Sequence, residues 1–172
     1  MGGDFMDIIL REWRLSDAED IYLLANNKKI ADNLRDSFPF PYTYDDAVNY
    51  IRLCIENEGK GQCCRAIEVD GKAVGSIGIF LMKDVYRKSA EVGYWLGEPY
   101  WGRGITTNAL LQICEYAFNK FDIVRIFAEC YAYNKGSRRA LEKAGFVLEG
   151  IKRKSIYKNG KIYDSCMYAL VR

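Results

Sequence analysis

Two glycines at the boundary between a strand pattern and a helix pattern carry the clearest chemical signal in the chain. Gly102 and Gly104 precede an amphipathic run that begins at Ile105. Glycines let a backbone approach a bulky ligand, and the unpaired N–H groups at a helix start carry a partial positive charge. Such a helix start suits phosphate groups. The predicted phosphate-binding residues are Gly102, Arg103, Gly104, Ile105, Thr106 and Thr107.

Two well-known phosphate loops fit this segment poorly. A Walker loop needs Gly, four residues and then Gly-Lys-Ser/Thr, whereas the stretch from Gly97 ends in Gly-Arg-Gly. The phosphate lysine and the magnesium-binding hydroxyl are therefore both missing. The dinucleotide fingerprint needs a third glycine where Thr107 stands, and it opens a fold of repeated strand–helix units.

The sequence contains no histidine, which restricts the acid–base chemistry that it can support. Histidine triads, histidine–cysteine nucleophile pairs and two-histidine zinc sites are excluded. A proton must move through carboxylates, tyrosines, lysines, cysteines or water. The six cysteines form no Cys-x-x-Cys pair, and Cys63 and Cys64 would point to opposite faces of a strand. We therefore expect free, buried thiols and no metal site.

Bulk composition indicates one ordinary globular domain spanning residues 1–172. The net charge of +2 gives no sign of a nucleic-acid binder. No apolar run approaches the ~20 residues that span a membrane, and residues 1–6 lack a signal-peptide layout. We expect a cytoplasmic protein whose residues 1–6 are disordered or vector-derived.

Apolar periodicity predicts a mixed α/β fold, with a mostly antiparallel sheet flanked by helices. Ser16 is expected to cap the first helix and Thr43 the second, whose apolar face comprises Val48, Ile51, Leu53 and Ile55. Two neighbouring strands are expected to run parallel where the long helix after the glycines connects them. The predicted strands are 8–13, 64–69, 73–81, 90–96, 123–131, 146–157 and 162–171, and later helices follow Gly104 and span 135–144.

This combination resembles the GNAT superfamily of N-acetyltransferases. Its acetyl-coenzyme-A loop reads Gln/Arg-x-x-Gly-x-Gly/Ala, and here Trp101, Gly104 and Thr106 take the three places. Both outer positions depart from that pattern. The run Gly93-Tyr94-Trp95-Leu96 and the tryptophan before Gly-Arg-Gly are similar to the ribosomal-protein N-terminal (RimJ/RimL-type) subgroup. The resemblance extends from residues 10–11 through 38–43 and 70–75 to 134–146, which is almost the whole chain.

The resemblance implies a splayed parallel strand pair that holds acetyl-coenzyme A as cosubstrate. Residues 94–96 would face residues 130–133 across the gap, and an N–H near Trp95 and Leu96 would hold the thioester oxygen. Tyr94 would contribute backbone to the same site. Asn134 would contact the cofactor and Ser137 would help the thiolate leave, although helix capping also explains both residue types.

Glu91 is the predicted base, acting through water, and Glu129 on the neighbouring strand is its rival. Leu141 stands where many members of the superfamily carry a tyrosine acid. Ile156 lies near where the ribosomal subgroup carries a glutamate. The tyrosine acid is therefore absent, and a ribosomal substrate is placed in doubt.

The expected reaction is direct acetyl transfer to a primary amine, without a covalent intermediate on Cys130. An α-amine is favoured slightly over lysine by its lower reference pKa. Open alternatives are a small amine (polyamine, amino acid or aminoglycoside) and a coenzyme-A-binding sensor without turnover. The partner is the amine substrate, with a homodimer as an option and no nucleic acid or membrane. Candidate acceptor-site residues are Trp13, Phe38, Phe40, Tyr42, Tyr44, Tyr157 and Asp164.

Overall fold

The computed structural model describes residues 7–172, so the expectation for residues 1–6 lies outside the described residues. Seven strands form one sheet, and helices cover it. The strands are β1 (Ile8–Arg11), β2 (Gln62–Val69), β3 (Lys72–Leu81), β4 (Ser89–Leu96), β5 (Arg125–Tyr131), β6 (Val147–Lys158) and β7 (Lys161–Val171). The helices are α1 (Ala18–Ala25), α2 (Lys28–Ala31), α3 (Tyr44–Glu56), α4 (Ile105–Lys120) and α5 (Lys135–Lys143).

The sheet has the order β1-β2-β3-β4-β5-β7-β6. Every neighbouring pair is antiparallel except β4 and β5, which run parallel because α4 carries the chain across between them. This confirms the predicted mixed, mostly antiparallel architecture. The two tight hairpins at Asp70-Gly71 and Asn159-Gly160 are also as expected, since both residues of each turn have positive φ.

Each face of the sheet has its own apolar core. One core contains the inward face of α4 together with Cys63 and Leu141, and the other contains α1, α3, Cys64 and Trp95. Cys63 and Cys64 therefore point to opposite faces, and all six cysteines are free and buried, as predicted. Within residues 7–172, no helix is both long and apolar enough to span a bilayer.

The first two helices differ from the sequence prediction in detail. Ser16 caps nothing: a 3-10 turn at Leu15–Asp17 precedes α1. The carboxylate of Asp17 is buried and accepts a hydrogen bond from the Arg14 amide at 2.9 Å. It also accepts one hydrogen bond each from Nη1 and Nη2 of Arg11, both at 2.8 Å. A buried carboxylate needs partners of this kind, so Asp17 rather than Ser16 organises the turn.

Helix α3 also turns a different face to the core than the one expected. Thr43 does cap it, in a capping box with Asp46. However, Leu53 and Ile55 are about half exposed, whereas Ala47, Ile51 and Cys54 are buried. These three positions follow the 3.6-residue period, and small side chains at two of them let α3 lie close to the sheet. The short helix α2 was not predicted.

Candidate active site

The parallel pair β4–β5 opens into a gap partway along its length. The two strands pair only at Ser89–Arg125, Ala90–Ile126 and Glu91–Phe127. Beyond Glu91, β4 continues for five residues to Leu96 while pairing only with β3. The sheet is thus split between β4 and β5, and backbone groups along the split are left for another partner.

Backbone alternation identifies which groups face this gap. The Gly97 amide donates to the Val74 carbonyl of β3 at 2.8 Å. In an antiparallel strand the backbone N–H and C=O groups of successive residues point to alternate sides. The backbone groups of Trp95, two residues before Gly97, therefore also bond to β3. Tyr94 and Leu96 therefore turn their N–H and C=O groups to the gap.

The same alternation applies to the facing strand. The Ala132 amide donates to the Asp164 carbonyl of β7 at 2.9 Å. The backbone groups of Cys130, two residues earlier, therefore also bond to β7. Glu129 and Tyr131 then direct their backbone groups to the gap. The strands are splayed over the predicted region 94–96 against 130–133, and of the Trp95 and Leu96 N–H groups it is the Leu96 N–H that points to the gap.

The glycine loop has the geometry that a phosphate cradle requires. Gly102 and Gly104 have φ of +73° and +74°, and a Cβ at either would meet nothing within 4 Å. The first intrahelical bond of α4 runs from the Asn108 amide to the Gly104 carbonyl at 3.0 Å. The amides of residues 105–107 are therefore free at the helix start. The first turn of α4 contains no acidic residue that would oppose an anion.

Side chains hold the loop between β4 and α4. The indole nitrogen of Trp101 donates to the Leu96 carbonyl at 2.7 Å, which ties the loop to the end of β4. The Arg103 guanidinium lies 5.7 Å from the centroid of the Tyr100 ring and remains exposed. Thr106 and Thr107 are half-buried. The predicted phosphate-binding residues 102–107 thus follow directly on a loop that is tied to the end of β4.

Tyr94, Asn134 and Ser137 meet on the α4 side of the sheet. The Tyr94 hydroxyl lies 2.5 Å from Ser137 Oγ, and the Asn134 side chain accepts the Ser137 amide at 3.2 Å as the cap of α5. Burial raises the pKa of Tyr94, so its phenol is neutral. Sequence analysis placed Tyr94 at the site for its backbone and missed this side-chain contact.

Glu91 and Glu129 lie on the opposite face of the same two strands. Glu91 Oε1 is 3.2 Å from Arg35 Nη2, and its side chain is 28% exposed. Glu129 is paired with Lys152, and its second oxygen accepts the Ser165 hydroxyl at 3.5 Å. Both predicted bases therefore have a cationic partner, Arg35 or Lys152, which no local sequence pattern indicates.

An aromatic group borders this face next to β5. Tyr131 and Tyr133 have ring centroids 5.7 Å apart, and Tyr163 packs edge-on against Tyr133 at 4.8 Å. The Tyr133 hydroxyl donates to the Asp32 carbonyl, and burial raises the pKa of Tyr133 to about 12. These tyrosines were not among the predicted site residues, because the chain has 13 tyrosines and no local feature marks three of them.

The structure brings only part of the predicted acceptor set to this face. Phe38 packs against Tyr42 at 5.1 Å and Trp95 at 6.0 Å, and Phe40 beside them is half exposed. Trp95 itself is buried, and its indole N–H has no hydrogen-bond partner among residues 7–172.

The structure does not bring the predicted acceptor residues Trp13, Tyr157 and Asp164 to the aromatic group around Phe38. Trp13 is buried in the core beside Tyr50, with ring centroids 5.9 Å apart, and it lines a small cavity of about 110 Å³ with Cys54. Tyr157 is 73% exposed. The Asp164 carboxylate accepts the Lys154 amide at 2.8 Å, which supports a bulge in the last hairpin. Tyr44 packs edge-on against Tyr22 of α1.

Cys130 is a buried thiol next to Ser137. Burial raises its pKa to about 11, while a hydrogen bond with Ser137 partly offsets that effect. A thiol that keeps its proton at neutral pH is a poor nucleophile. Within residues 7–172, no cluster of three or more Cys, Asp or Glu side chains is placed to hold a metal ion.

Comparison with known proteins agrees with this geometry. The profile of the acetyltransferase (GNAT) domain family matches residues 7–147. The crystal structure of the microcin C7 self-immunity acetyltransferase MccE, in complex with acetyl-CoA and AMP, is 32% identical. The alignment covers 99% of this chain and 94% of that one, with a TM-score of 0.82.

Two curated relatives are similar over shorter stretches. YdaF of Bacillus subtilis is 35% identical over 103 residues, which is 60% of this chain and 56% of that protein. The ribosomal-protein-serine acetyltransferase of Escherichia coli is 31% identical over 84 residues, 49% of this chain and 47% of that protein. The chain thus spans about half the length of these two relatives. The family match and the geometry of the split sheet lead to one conclusion: the chain belongs to the acetyltransferase (GNAT) domain family.

Proposed function

We propose that acetyl-coenzyme A binds in the gap between β4 and β5, with its diphosphate on the amides of residues 103–107. The observation that carries this proposal is the loss of β4–β5 pairing after Glu91, which leaves backbone groups of Tyr94 and Leu96 without a strand partner. A pantetheine arm carries amide groups that can pair with such an edge. Arg103 and the dipole of α4 complement the phosphate charge.

The thioester carbonyl is activated by a hydrogen bond from the Leu96 N–H. One such donor contributes roughly 10²–10³-fold to a rate, because it meets the charge that develops on the oxygen. The amine loses its proton through water to Glu91, with Glu129 as the rival base. Positioning of amine and thioester contributes on the order of 7–11 kcal/mol at most.

Transfer is direct. The amine nitrogen bonds to the thioester carbon, and the carbon–sulfur bond then breaks with its electron pair on sulfur. Cys130 takes no covalent part, since its protonated thiol has no histidine to activate it.

The acceptor is the α-amine of a protein N-terminus. The similarity to a ribosomal-protein-serine acetyltransferase supports this choice, as does the partial exposure of Glu91 and Glu129, at 28% and 31%. An α-amine has a reference pKa of about 7.7–8.0 against about 10.4 for lysine, so a carboxylate base deprotonates it more readily. The isoleucine at position 156, where the ribosomal subgroup has a glutamate, argues for an acceptor other than that subgroup's own.

A small amine is the second candidate, and one observation favours it. MccE, which is similar over almost the whole chain, was crystallised with AMP as well as acetyl-CoA. Tyr131, Tyr133 and Tyr163 offer a stacking surface on the acceptor face for such a planar group. A sensor without turnover is the weakest of the alternatives, because the family is one of acetyltransferases.

Release of free coenzyme A thiol over an amine panel tests the acceptor. The panel contains peptides with a free N-terminus, the same peptides with a blocked N-terminus and an internal lysine, and small amines including aminoacyl nucleotides. We expect turnover with free peptide N-termini and at least tenfold less with blocked peptides. Turnover confined to small amines would overturn the N-terminal assignment.

Matched amide variants test the base. Glu91→Gln should lower kcat/KM by about 10²–10⁴-fold, the usual contribution of a general base, while Glu129→Gln should lower it less. The opposite ranking would transfer the role to Glu129. Both variants keep the shape of the side chain and remove the ion pair with Arg35 or Lys152, so loss of a salt bridge is common to both.

Cytoplasmic location and a homodimer remain predictions. Six free, buried thiols favour a reducing compartment. Light scattering on the purified chain measures the oligomeric state.

A further inference from the structure

A half-buried phenol reaches the serine that the family resemblance assigns to the leaving thiolate. Tyr94 lies on β4, at the split in the sheet, and Ser137 lies in the first turn of α5. Their oxygens are 2.5 Å apart across the interface between sheet and helix. Cys130 lies on the facing strand β5 and is also buried. The Tyr94 and Ser137 hydroxyls, from two different elements, therefore meet on the α4 side of the sheet.

The residue that many members of the superfamily use as an acid is missing from this position. Leu141 is fully buried in the apolar core and cannot donate a proton. Tyr94 supplies a tyrosine hydroxyl to the same helix turn, but from β4 rather than from α5 itself. The direction of approach differs because Tyr94 lies on the sheet, with α4 and β5 between its strand and α5 in the chain.

A phenol that stays neutral can act here only as a donor or an acceptor of a hydrogen bond. When the Tyr94 hydroxyl donates to Ser137 Oγ, the serine hydrogen is free to point elsewhere. The Asn134 cap fixes the Ser137 backbone at the start of α5, and the positive end of the helix dipole stabilises negative charge nearby. The serine hydrogen is then directed away from Tyr94 and is available to another acceptor.

We propose that Tyr94 is a positioning residue that orients the Ser137 hydroxyl so that its hydrogen bonds the departing sulfur of coenzyme A. The inference rests on the proposed function, because it assumes that the thioester lies in the gap between β4 and β5. The carbon–sulfur bond breaks with its electron pair on sulfur, and the amine proton leaves through the base. The thiolate receives a hydrogen bond from Ser137 and takes its proton from solvent, so serine and tyrosine both keep theirs.

This assignment agrees with the relative acidities. A thiol has a reference pKa of about 8.5, whereas an aliphatic hydroxyl releases its proton far less readily. Complete transfer from Ser137 to the thiolate would therefore be unfavourable, but a hydrogen bond to the thiolate is favourable. Such a bond is made only as negative charge develops on sulfur, so it should affect kcat rather than binding.

A double-mutant cycle tests the inference on the full-length chain, with thiol release from acetyl-coenzyme A and the best amine as the assay. Ser137→Ala should lower kcat by more than tenfold, and Tyr94→Phe should lower it by about tenfold, which corresponds to 1.4 kcal/mol. KM for acetyl-coenzyme A should change less than twofold. Because Tyr94 acts through Ser137, Tyr94→Phe should have no further effect in the Ser137→Ala background.

Tyr168→Phe is the matched control. Tyr168 is a fully buried tyrosine on β7 that bonds α5 through Glu142 at 2.8 Å and Arg138 at 3.1 Å. Among residues 7–172 its hydroxyl makes these two hydrogen bonds and none to Ser137. Both variants should lower Tm by a similar few degrees, but only Tyr94→Phe should lower kcat. Equal kcat losses for the two variants would indicate a structural role and overturn the inference.

The outcomes separate this inference from the proposed function. If wild-type protein releases thiol and Ser137→Ala lowers kcat, the proposed function stands. An additive effect of Tyr94→Phe in that background, or an unchanged kcat, then overturns the role of Tyr94 alone. If wild-type protein releases no thiol with any amine, the proposed function itself fails.

Discussion

Replacement of Gly104 by alanine tests the cofactor loop, because the structure separates its effect on folding from its effect on binding. Gly104 has φ of +74° and open space around a Cβ. An L-residue in this region costs about 1–2 kcal/mol, offset by roughly 0.4–1 kcal/mol from the less flexible unfolded chain. The net loss of about 1 kcal/mol should lower Tm by roughly 2–4 °C in a domain of this size.

Gly71→Ala is the matched control. Gly71 has φ of +80° and nothing within 4 Å of a Cβ, but it lies in the β2–β3 hairpin turn. Both variants should therefore lose a similar amount of stability. Only Gly104→Ala should weaken acetyl-coenzyme A binding, because it disturbs the cap that presents the amides of residues 105–107.

Calorimetry and thermal melts measure the two effects separately. We expect the Kd of acetyl-coenzyme A to rise at least tenfold for Gly104→Ala, which is about 1.4 kcal/mol, and to be unchanged for Gly71→Ala. At a ligand concentration of 100 times the wild-type Kd, the ligand stabilises wild-type protein by about 2.7 kcal/mol and the Gly104 variant by only about 1.4 kcal/mol. Wild-type affinity in the Gly104 variant, together with the expected fall in Tm, would refute the assignment of the phosphate site.

Three further perturbations follow from contacts outside the catalytic groups. Asp17→Asn should destabilise the protein at pH 7 by about 3 kcal/mol, since it removes the buried one of the two carboxylates that pair with Arg11 and leaves only Glu68. Burial opposes the charged form of Asp17, but bonds from Arg11 and a backbone amide outweigh it and lower the pKa of the carboxyl below its usual value. Wild-type stability from this group is therefore present above about pH 4 and lost as the pH falls through the folded pKa, so urea titrations of the two proteins should converge at acidic pH. Trp101→Phe removes one bond to the Leu96 carbonyl, worth about 1 kcal/mol, and should raise KM for acetyl-coenzyme A several-fold in steady-state assays with kcat nearly constant. Cys130→Ala should keep kcat within a few-fold, and mass spectrometry of wild-type protein incubated with acetyl-coenzyme A alone should show no acetylated cysteine; a stable acetyl adduct would contradict direct transfer.

Local signals in the sequence were sufficient to predict the conformation of the loop that is proposed to bind the cofactor. Gly102 and Gly104 predict positive φ, and the helix period after Ile105 predicts free amides at the start of α4. The paired turns at Asp70 and Asn159 predict tight hairpins. Each of these features depends on neighbours a few residues apart, so it can be recognised without the tertiary structure.

The acceptor half was only partly accessible from sequence. Glu91 and Glu129 were recognised as alternatives, but their partners Arg35 and Lys152 are 56 and 23 residues away along the chain. Trp13 was grouped with the loop aromatics because of its residue type, whereas the structure places it in the core beside Tyr50. Aromatic residues serve both roles, and composition alone does not separate them.

The sequence by itself determined the order of the strands and of every helix except α2, the position of the glycine loop and the exclusion of histidine chemistry, because these follow from residue identity and short-range periodicity. Only the tertiary structure decided where β4 and β5 stop pairing, and hence that Tyr94 and Leu96 direct their backbone groups to the gap. It also decided that the Tyr94 hydroxyl meets Ser137, a residue 43 positions later. Such contacts depend on strand register and on how α5 packs against the sheet, which are set by the whole core at once and leave no mark on neighbouring residues.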